Sequence, residues 1–359
     1  MYTIDDLVSE YTSIYCNKQR EQKFEKLNFE LIHNASFTLD LWVQDILSLN
    51  RVLRVESDSL YKVHKSYPSP RSLYPIQIFV CIEEKTYVST DPFHEKYIYY
   101  SNNSRKDQIG DILLNVNDIY LFNYISLKKT LALLECGHLL YNIAYIALKY
   151  GISYKIIDHE SKCVKLQYLN QKICTDYMKL VERDKSLFMN KVYHRSSGPF
   201  NRPFTTFKSH FKKDPIGPQE NIFNYLINLM DLNEVSLITQ LRVFTNNGNG
   251  IFSEISGNRI LKYNHINELY PYINFFGVDQ LVILMIDDTR LKSINLEKLL
   301  LYSGMLAQNI CIANSDQNYY NRPVKSLDFF KLKQLLHIEK DVWTPFYCII
   351  SGSIKAIKS

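Results

Sequence analysis

Two long apolar segments constrain this chain more than any other feature, because each is too evenly apolar to lie at a surface. Residues 127–150 are almost continuously apolar and stop at Gly151, a residue that commonly ends a helix. Residues 296–312 form a second, mainly apolar segment. A helix that is apolar on all sides belongs at the centre of a protein, so both are predicted to be core helices.

The two segments also match each other in sequence. "GHLLYN" at 137–142 aligns position for position with "GMLAQN" at 304–309, each beginning with Gly and ending with Asn. A length of 359 residues favours two domains or two fused halves over one small module. The chain is therefore interpreted as an internal duplication of one α+β unit.

Local sequence patterns predict the boundaries of the two halves and of their helices and strands. A helical extension is predicted at 1–33, a first half at 34–189 and a second half at 190–359, with the boundary near Met189. Helices are expected where apolar residues recur at helical spacing, over 4–32 and from Phe37 to Asn50. Strands are expected in apolar or β-branched runs bounded by turn residues, at 76–82, 86–89, 96–100, 237–244, 250–262 and 281–286.

Composition excludes several classes of function. The 42 basic and 37 acidic residues leave a net charge of +5, spread along the chain rather than gathered in a stripe, which does not suggest nucleic-acid binding. The opening residues include Asp5 and Asp6, so no secretory signal is recognised, and no membrane anchor is expected. The seven cysteines are scattered without a CxxC pair. They predict reduced thiols in a cytoplasmic protein without a metal site.

Several motifs resemble one known family. "ECGHLLYNIAYIALKYGI" at 135–152 resembles the dimer-core helix of the flavin nitroreductase superfamily. "PSPRSLYP" at 68–75, followed by a strand, resembles a signature of one branch, the SagB-type azoline dehydrogenases. "TYVSTDPFHEKY" at 86–97 fits the hairpin of that branch. In the second half, "HRSSGPF" at 194–200 and "WTPFYCIISG" at 343–352 resemble the opening element and the last strand of such domains.

The resemblance implies an α+β fold in which two nitroreductase-like halves form an intramolecular pseudo-dimer, with antiparallel-rich sheets around the central helices. It also implies FMN at the interface, at most one per chain, because each half keeps a different part of the site. The arginine element that would bind the flavin phosphate is present only as His194, Arg195 and Ser196. The loop at 68–75 is present only in the first half, and its counterpart at 234–242 has lost both prolines and the tyrosine.

The remaining candidate residues also follow from the resemblance. Ser69 lies in the loop that would meet the flavin. Arg71 replaces a family glycine, where a cation would either favour anionic reduced flavin or block the pocket. Arg322, in a predicted turn, stands where the family often has a further cation. Tyr124 matches the tyrosine of a catalytic Lys-Tyr pair, but Asn123 replaces the lysine, and a plain structural role for this tyrosine is equally open.

These residues leave three functional hypotheses. The first is an FMN-dependent dehydrogenase that oxidises peptide azolines to azoles in ribosomal peptide biosynthesis, with a modified precursor peptide as substrate and other biosynthetic subunits, such as a cyclodehydratase, as partners. The second is a catalytically degenerate subunit that supports an active dehydrogenase or binds the precursor peptide. The third is a general flavin reductase that uses NAD(P)H.

Overall fold

A computed structural model describes most of the chain. The described residues are 29–33, 35–55, 63–94, 96–117, 127–160, 163–169, 173, 175–183, 185–195, 220–270, 273–315, 319–325 and 327–353. Five predicted features, namely most of the opening helix, Ser196, Tyr124, Asn123 and the side chain of Arg71, lie outside the described part.

The first half builds one antiparallel sheet around a central helix. Its helices are α1 (Leu41–Ser48), α2 (Lys128–Lys149), α3 (Thr175–Arg183) and α4 (Lys185–His194). Its strands are β1 (Glu30–Leu31), β2 (Arg54–Val55), β3 (Val63–His64), β4 (Ile76–Glu83), β5 (Thr86–Thr90), β6 (Tyr97–Ser101), β7 (Ile112–Val116), β8 (Ser153–Glu160) and β9 (Cys163–Leu169). The sheet has the order β1-β6-β5-β4-β7-β9-β8, and β2 pairs with β3 separately.

The second half repeats this plan. Its helices are α5 (Glu220–Leu229), α6 (Asn233–Ser236), α7 (Tyr263–Asn267), α8 (Leu296–Ala313) and α9 (Phe329–Leu335). Its strands are β10 (Thr239–Asn246), β11 (Ile251–Glu254), β12 (Ile260–Lys262), β13 (Gln280–Asp287), β14 (Tyr319–Val324) and β15 (Trp343–Ser353). The sheet order is β12-β11-β10-β13-β15-β14.

The two sheets share one topology. Strands β4 to β9 and β10 to β15 follow each other in the same spatial order, and every pairing within the two runs is antiparallel. The long helix enters both runs at the same place, after the fourth strand. The molecule is thus a mixed α+β fold of two halves with matching architecture.

The central helices α2 and α8 meet at a pair of glycines. A Cβ atom built on Gly137 would lie 2.9 Å from Gly304 Cα and still closer to the Leu301 carbonyl oxygen. A Cβ on Gly304 would likewise lie 2.9 Å from Gly137 Cα and closer to the Leu134 carbonyl oxygen. Only glycine permits this backbone approach, and the reciprocal contacts mark a pseudo-twofold axis between the halves.

Reciprocal hydrogen bonds flank the same axis. The Tyr141 hydroxyl donates to Asn309 Oδ1 at 2.8 Å, and Gln308 Nε2 donates to Asn142 Oδ1 at 3.0 Å. In the aligned segments Tyr141 matches Gln308, and Asn142 matches Asn309. Each half therefore makes the same contact with the other, as in a symmetric dimer interface.

The core helices agree with expectation. Helix α2 is long and apolar enough to cross a bilayer, and its entire apolar window is buried inside the protein. It ends before Gly151, whose φ of +70° suits a residue without a side chain. Helix α8 covers the second predicted segment, with Leu306 4% exposed.

The opening segment differs from expectation where it is described. Glu30–Leu31 is a strand that pairs antiparallel with β6, Glu30 facing Ser101 and Leu31 facing Tyr100, so the helix predicted over 4–32 is wrong there. Hydrogen bonding to an existing sheet edge outweighs the local helical pattern over these two residues. Met189, the predicted boundary, lies inside α4.

Candidate functional site

The proline loop, residues 68–75, leads into β4 with a strained backbone. A short 3-10 turn covers Pro70–Ser72, and the Ser69 hydroxyl oxygen accepts a hydrogen bond from the Tyr74 amide at 2.8 Å. Ser72 and Tyr74 have φ values of 54° and 46°, in the left-handed region that side chains disfavour. Such strain persists only where surrounding contacts fix the backbone.

Those contacts come partly from the three residues that directly precede the loop. The Lys65 amide donates to the Tyr74 hydroxyl at 3.0 Å, and the Ser66 hydroxyl donates to the Leu49 carbonyl at 2.7 Å. The Tyr67 ring meets the Tyr74 ring edge-on, with 5.3 Å between centroids. Lys65, Ser66 and Tyr67 are all buried, so the base of the loop is held inside the protein.

Arg195 lies against this loop. It directly follows α4 and is only 2% exposed, so it is not an exposed loop arginine. Its Nη2 donates to the Lys65 carbonyl at 3.3 Å, and Arg54 Nη2 donates to the Arg195 carbonyl at 3.1 Å. Burial lowers the pKa of the Arg195 guanidinium, while the neighbouring Tyr74 phenol acts in the opposite direction. The structure thus brings the predicted cation and the proline loop together.

Both central helices border Arg195. Burial, aided by the Arg195 charge, lowers the pKa of His138 on α2 to about 3. His138 is 1% exposed, and its Nε2 lies 3.0 Å from the Tyr347 hydroxyl, so it is a neutral, packed residue near neutral pH. Burial raises the pKa of Cys311 on α8 to about 12, although Arg195 opposes the rise. Arg195 therefore sits at the junction of the two halves.

A buried acid and a buried base lie beneath the loop. Lys65 and Glu135 are 8% and 2% exposed, and Lys65 Nζ donates to Asn50 Oδ1 at 2.9 Å. Burial lowers the pKa of Lys65 to about 7, with the Glu135 charge opposing the shift. Burial also raises the pKa of Glu135 well above its usual value, opposed by the Ser69 hydroxyl and by Lys65. Burial thus favours the neutral form of both side chains beneath the loop.

The pseudo-twofold axis provides an internal comparison for this acid. In the aligned helices Tyr302 stands where α2 has Glu135, and Met305 stands where it has His138. The Tyr302 ring packs near Phe223, with 6.0 Å between centroids, and fills the equivalent position. A buried carboxylate costs free energy, and the second half folds without one. Glu135 is therefore not required by the architecture.

His194 and Arg322 are two further predicted residues that the structure describes. His194 ends α4, half-buried, with its ring 5.3 Å from the Tyr193 ring. Arg322 is 8% exposed and lies in strand β14, not in the turn that the sequence predicted, because residues 319–324 pair with β15. Its charge acts on Tyr320 in the same strand.

Sequence reasoning missed Lys65, Glu135 and Arg54. A signal for Glu135 was present, since it is the one Asp, Glu, Lys or Arg residue between Thr130 and Lys149 in an apolar segment. Within the described residues, no group of three or more His, Cys, Asp or Glu side chains is placed to hold a metal ion.

Comparisons with known proteins identify the fold. No protein-family model matches the chain, and no curated protein matches it. A solved structure described as a "putative nitroreductase", from Anabaena variabilis, is similar over 99% of this chain and 100% of its own, with a TM-score of 0.66 at 12% identity. A nitroreductase family protein from Streptococcus pneumoniae covers 48% of this chain and 92% of its own, with a TM-score of 0.29 at 14% identity. The full-length similarity shows that the fold is nitroreductase-like.

Proposed function

We propose that this chain is an FMN-dependent oxidoreductase with one cofactor site, located where the proline loop meets Arg195. The observation that carries the proposal is the placement of Arg195 against the Lys65 carbonyl and the Tyr74 phenol, at the junction of the two halves. These groups come from separate parts of the sequence, and no local pattern requires them to converge. The nitroreductase-like fold supports the same proposal at the level of architecture.

The donor set fits a phosphate-bearing cofactor. A guanidinium carries five N–H donors in a fixed fork, and such a fork suits a phosphate dianion. The Lys65 carbonyl and the Tyr74 hydroxyl engage part of that fork in Arg195. Ser69, half-buried in the loop, offers a hydroxyl. Bound FMN would supply a two-electron acceptor, which is chemistry that protein side chains lack. We assign phosphate binding to Arg195, aided by His194 and Ser196, and the ring end to the proline loop.

We propose azoline oxidation as the specific reaction, with a modified precursor peptide as substrate. The loop carrying the family signature is the loop that meets Arg195, which supports this choice. The reaction removes a proton as well as a hydride, so the site needs a base. The sequence offers Tyr124 for this role, and the structure adds the Glu135 and Lys65 pair beneath the loop. Lys129, five residues after Tyr124, forms an ion pair with Glu297.

The same resemblance suggests partners and location. We propose that other subunits of the biosynthetic complex, such as a cyclodehydratase, deliver the peptide. We also propose a cytoplasmic protein, and the buried thiols of Cys81, Cys136, Cys311 and Cys348, outside any disulfide, support a reducing environment. The shared strand order and the reciprocal contacts between the central helices support an origin of the two halves by duplication.

One observation favours a second candidate, a degenerate subunit without cofactor. Arg195 is 2% exposed and already donates to a main-chain carbonyl, a geometry that also suits a purely structural cation. The colour of the purified protein distinguishes the two proposals, because bound flavin is yellow. Purified protein that is yellow and releases FMN on heating supports the oxidoreductase. Protein that stays colourless after incubation with FMN supports the degenerate subunit. Bleaching by NADPH without oxygen would instead indicate a general flavin reductase.

A further inference from the structure

The carbonyl oxygen of Ser66, two residues before the proline loop, accepts two side-chain hydrogen bonds. Asn142 Nδ2 donates to it at 3.0 Å, and Gln308 Nε2 donates to it at 3.0 Å. Asn142 belongs to α2 of the first half, whereas Gln308 belongs to α8 of the second half. All three residues are completely buried. The base of the loop is therefore fastened to both halves at a single atom.

Both amide hydrogens of Gln308 are used at this point. Its Nε2 also donates to Asn142 Oδ1 at 3.0 Å, so both amide hydrogens have acceptors. Its other end faces His138, which contacts the Tyr347 hydroxyl at 3.0 Å. Tyr347 of β15 is thus hydrogen-bonded to His138 of α2, and Gln308 of α8, which lies near His138, is hydrogen-bonded to Ser66. These residues are buried, so both hydrogen bonds are shielded from competing water.

The pseudo-twofold axis shows that the packing of the helices does not require glutamine here. The matching residue in the first half is Tyr141, which makes the equivalent bond to Asn309 with its hydroxyl. A tyrosine hydroxyl has one hydrogen to donate, so it cannot serve an asparagine and a main-chain carbonyl together. The two halves therefore differ at the aligned position from which the second half reaches the Ser66 carbonyl.

We propose that Gln308 is a positioning residue, through which the second half holds the proline loop of the first half in the shape that meets Arg195. The importance of that shape for cofactor binding rests on the proposed function, whereas the positioning itself does not. Removing the amide leaves the Ser66 carbonyl with the Asn142 donor alone. Because a single buried hydrogen bond contributes about 1 kcal/mol, loosening of the loop by roughly five- to tenfold is expected.

The experiment compares Gln308→Met with Tyr141→Phe. Each variant removes one interhelical hydrogen bond at the same depth in the same interface, but only the first also removes a bond to the loop. Hydrogen exchange of residues 66–75 in the full chain without FMN should be roughly five- to tenfold faster in Q308M and unchanged in Y141F. In protein titrated with FMN, the dissociation constant should rise by a similar factor in Q308M alone, with altered visible circular dichroism of the bound flavin.

Equal exchange in the two variants, or unchanged exchange in Q308M, would overturn the positioning role. Faster exchange in Q308M alone, in a protein that binds no FMN, would uphold the positioning role and reject the proposed function. If Q308M does not fold, Gln308→Asn provides the test, because its amide is one methylene shorter and retains polarity while losing reach to Ser66. Rapid loop exchange in Q308N supports the inference, and wild-type exchange contradicts it.

Discussion

Close approach of the central helices can be tested by adding one methyl group. In Gly137→Ala the new Cβ would lie 2.9 Å from Gly304 Cα and closer still to the Leu301 carbonyl, so it meets backbone that no rotamer change can move. Relief requires the two helices to separate by about 1 Å, since non-bonded carbon atoms prefer separations of about 3.5–4.0 Å. Such overpacking costs about 3 kcal/mol, at the upper end of the usual range.

Helix propensity acts in the opposite direction. Alanine is favoured over glycine within a helix by about 1 kcal/mol, so the net loss of stability for Gly137→Ala is about 2 kcal/mol. The free energy of unfolding should be measured with urea, with Ser303→Ala as control. Ser303 is buried on α8, next to Gly304, and its hydroxyl donates to the Leu299 carbonyl of the same helix, so its replacement is expected to change stability by less than about 1 kcal/mol.

The double variant sharpens this test. Gly137→Ala and Gly304→Ala require the same separation of the helices, so the second methyl group should cost much less once the first is present. A Gly137→Ala protein as stable as the wild type would refute the close crossing. Fully additive losses in the double variant would refute the shared pseudo-twofold contact.

Three further predictions concern stability. Leu306→Asp should abolish folding, seen as loss of cooperative urea unfolding, because an isolated buried carboxylate costs as much as the roughly 5–15 kcal/mol that stabilises a protein. Burial lowers the Lys65 pKa from 10.5 to about 7, so the unfolded chain binds more protons in that window and wild-type stability should rise from pH 7 to pH 10. Lys65→Met should reduce that rise, to which Lys325 also contributes because burial lowers its pKa to about 8, and an unchanged slope would contradict the assignment. Burial opposes ionisation of Asp107, but hydrogen bonds from Arg105 and Lys165 outweigh it and lower the pKa, so Asp107→Asn should destabilise more at pH 7 than at pH 3. Equal losses at the two pH values would contradict this.

The fold was largely predictable because its strongest signals are local. The evenly apolar helix that ends before Gly151, and the β-branched run that becomes β4, each follow from side-chain chemistry over a few residues. The aligned segments at 137–142 and 304–309 also indicated a tertiary contact, since their residues contact each other across the pseudo-twofold axis. Equivalent positions of a symmetric interface must meet, so this contact was implicit in the alignment.

Pairings between distant residues were less accessible. Glu30–Leu31 becomes a strand because an edge of the sheet lies beside it, and residues 319–324 become β14 for the same reason. Lys65 and Glu135 are 70 positions apart, and nothing near either residue in the sequence specifies the other. Their burial depends on the packing of the proline loop against α2, a contact between segments that are distant in the sequence.

The most direct test of the central claim is the stoichiometry of FMN binding. The full-length protein and its Arg195→Met variant should be titrated with FMN, and binding followed by quenching of flavin fluorescence. If each half supplies a different part of one site, the wild type should saturate at one FMN per chain. The variant should bind FMN at least tenfold more weakly, because a charge-assisted hydrogen bond contributes about 1.5–3 kcal/mol. Two FMN per chain, no binding, or equal affinity in both proteins would contradict a single site completed by Arg195.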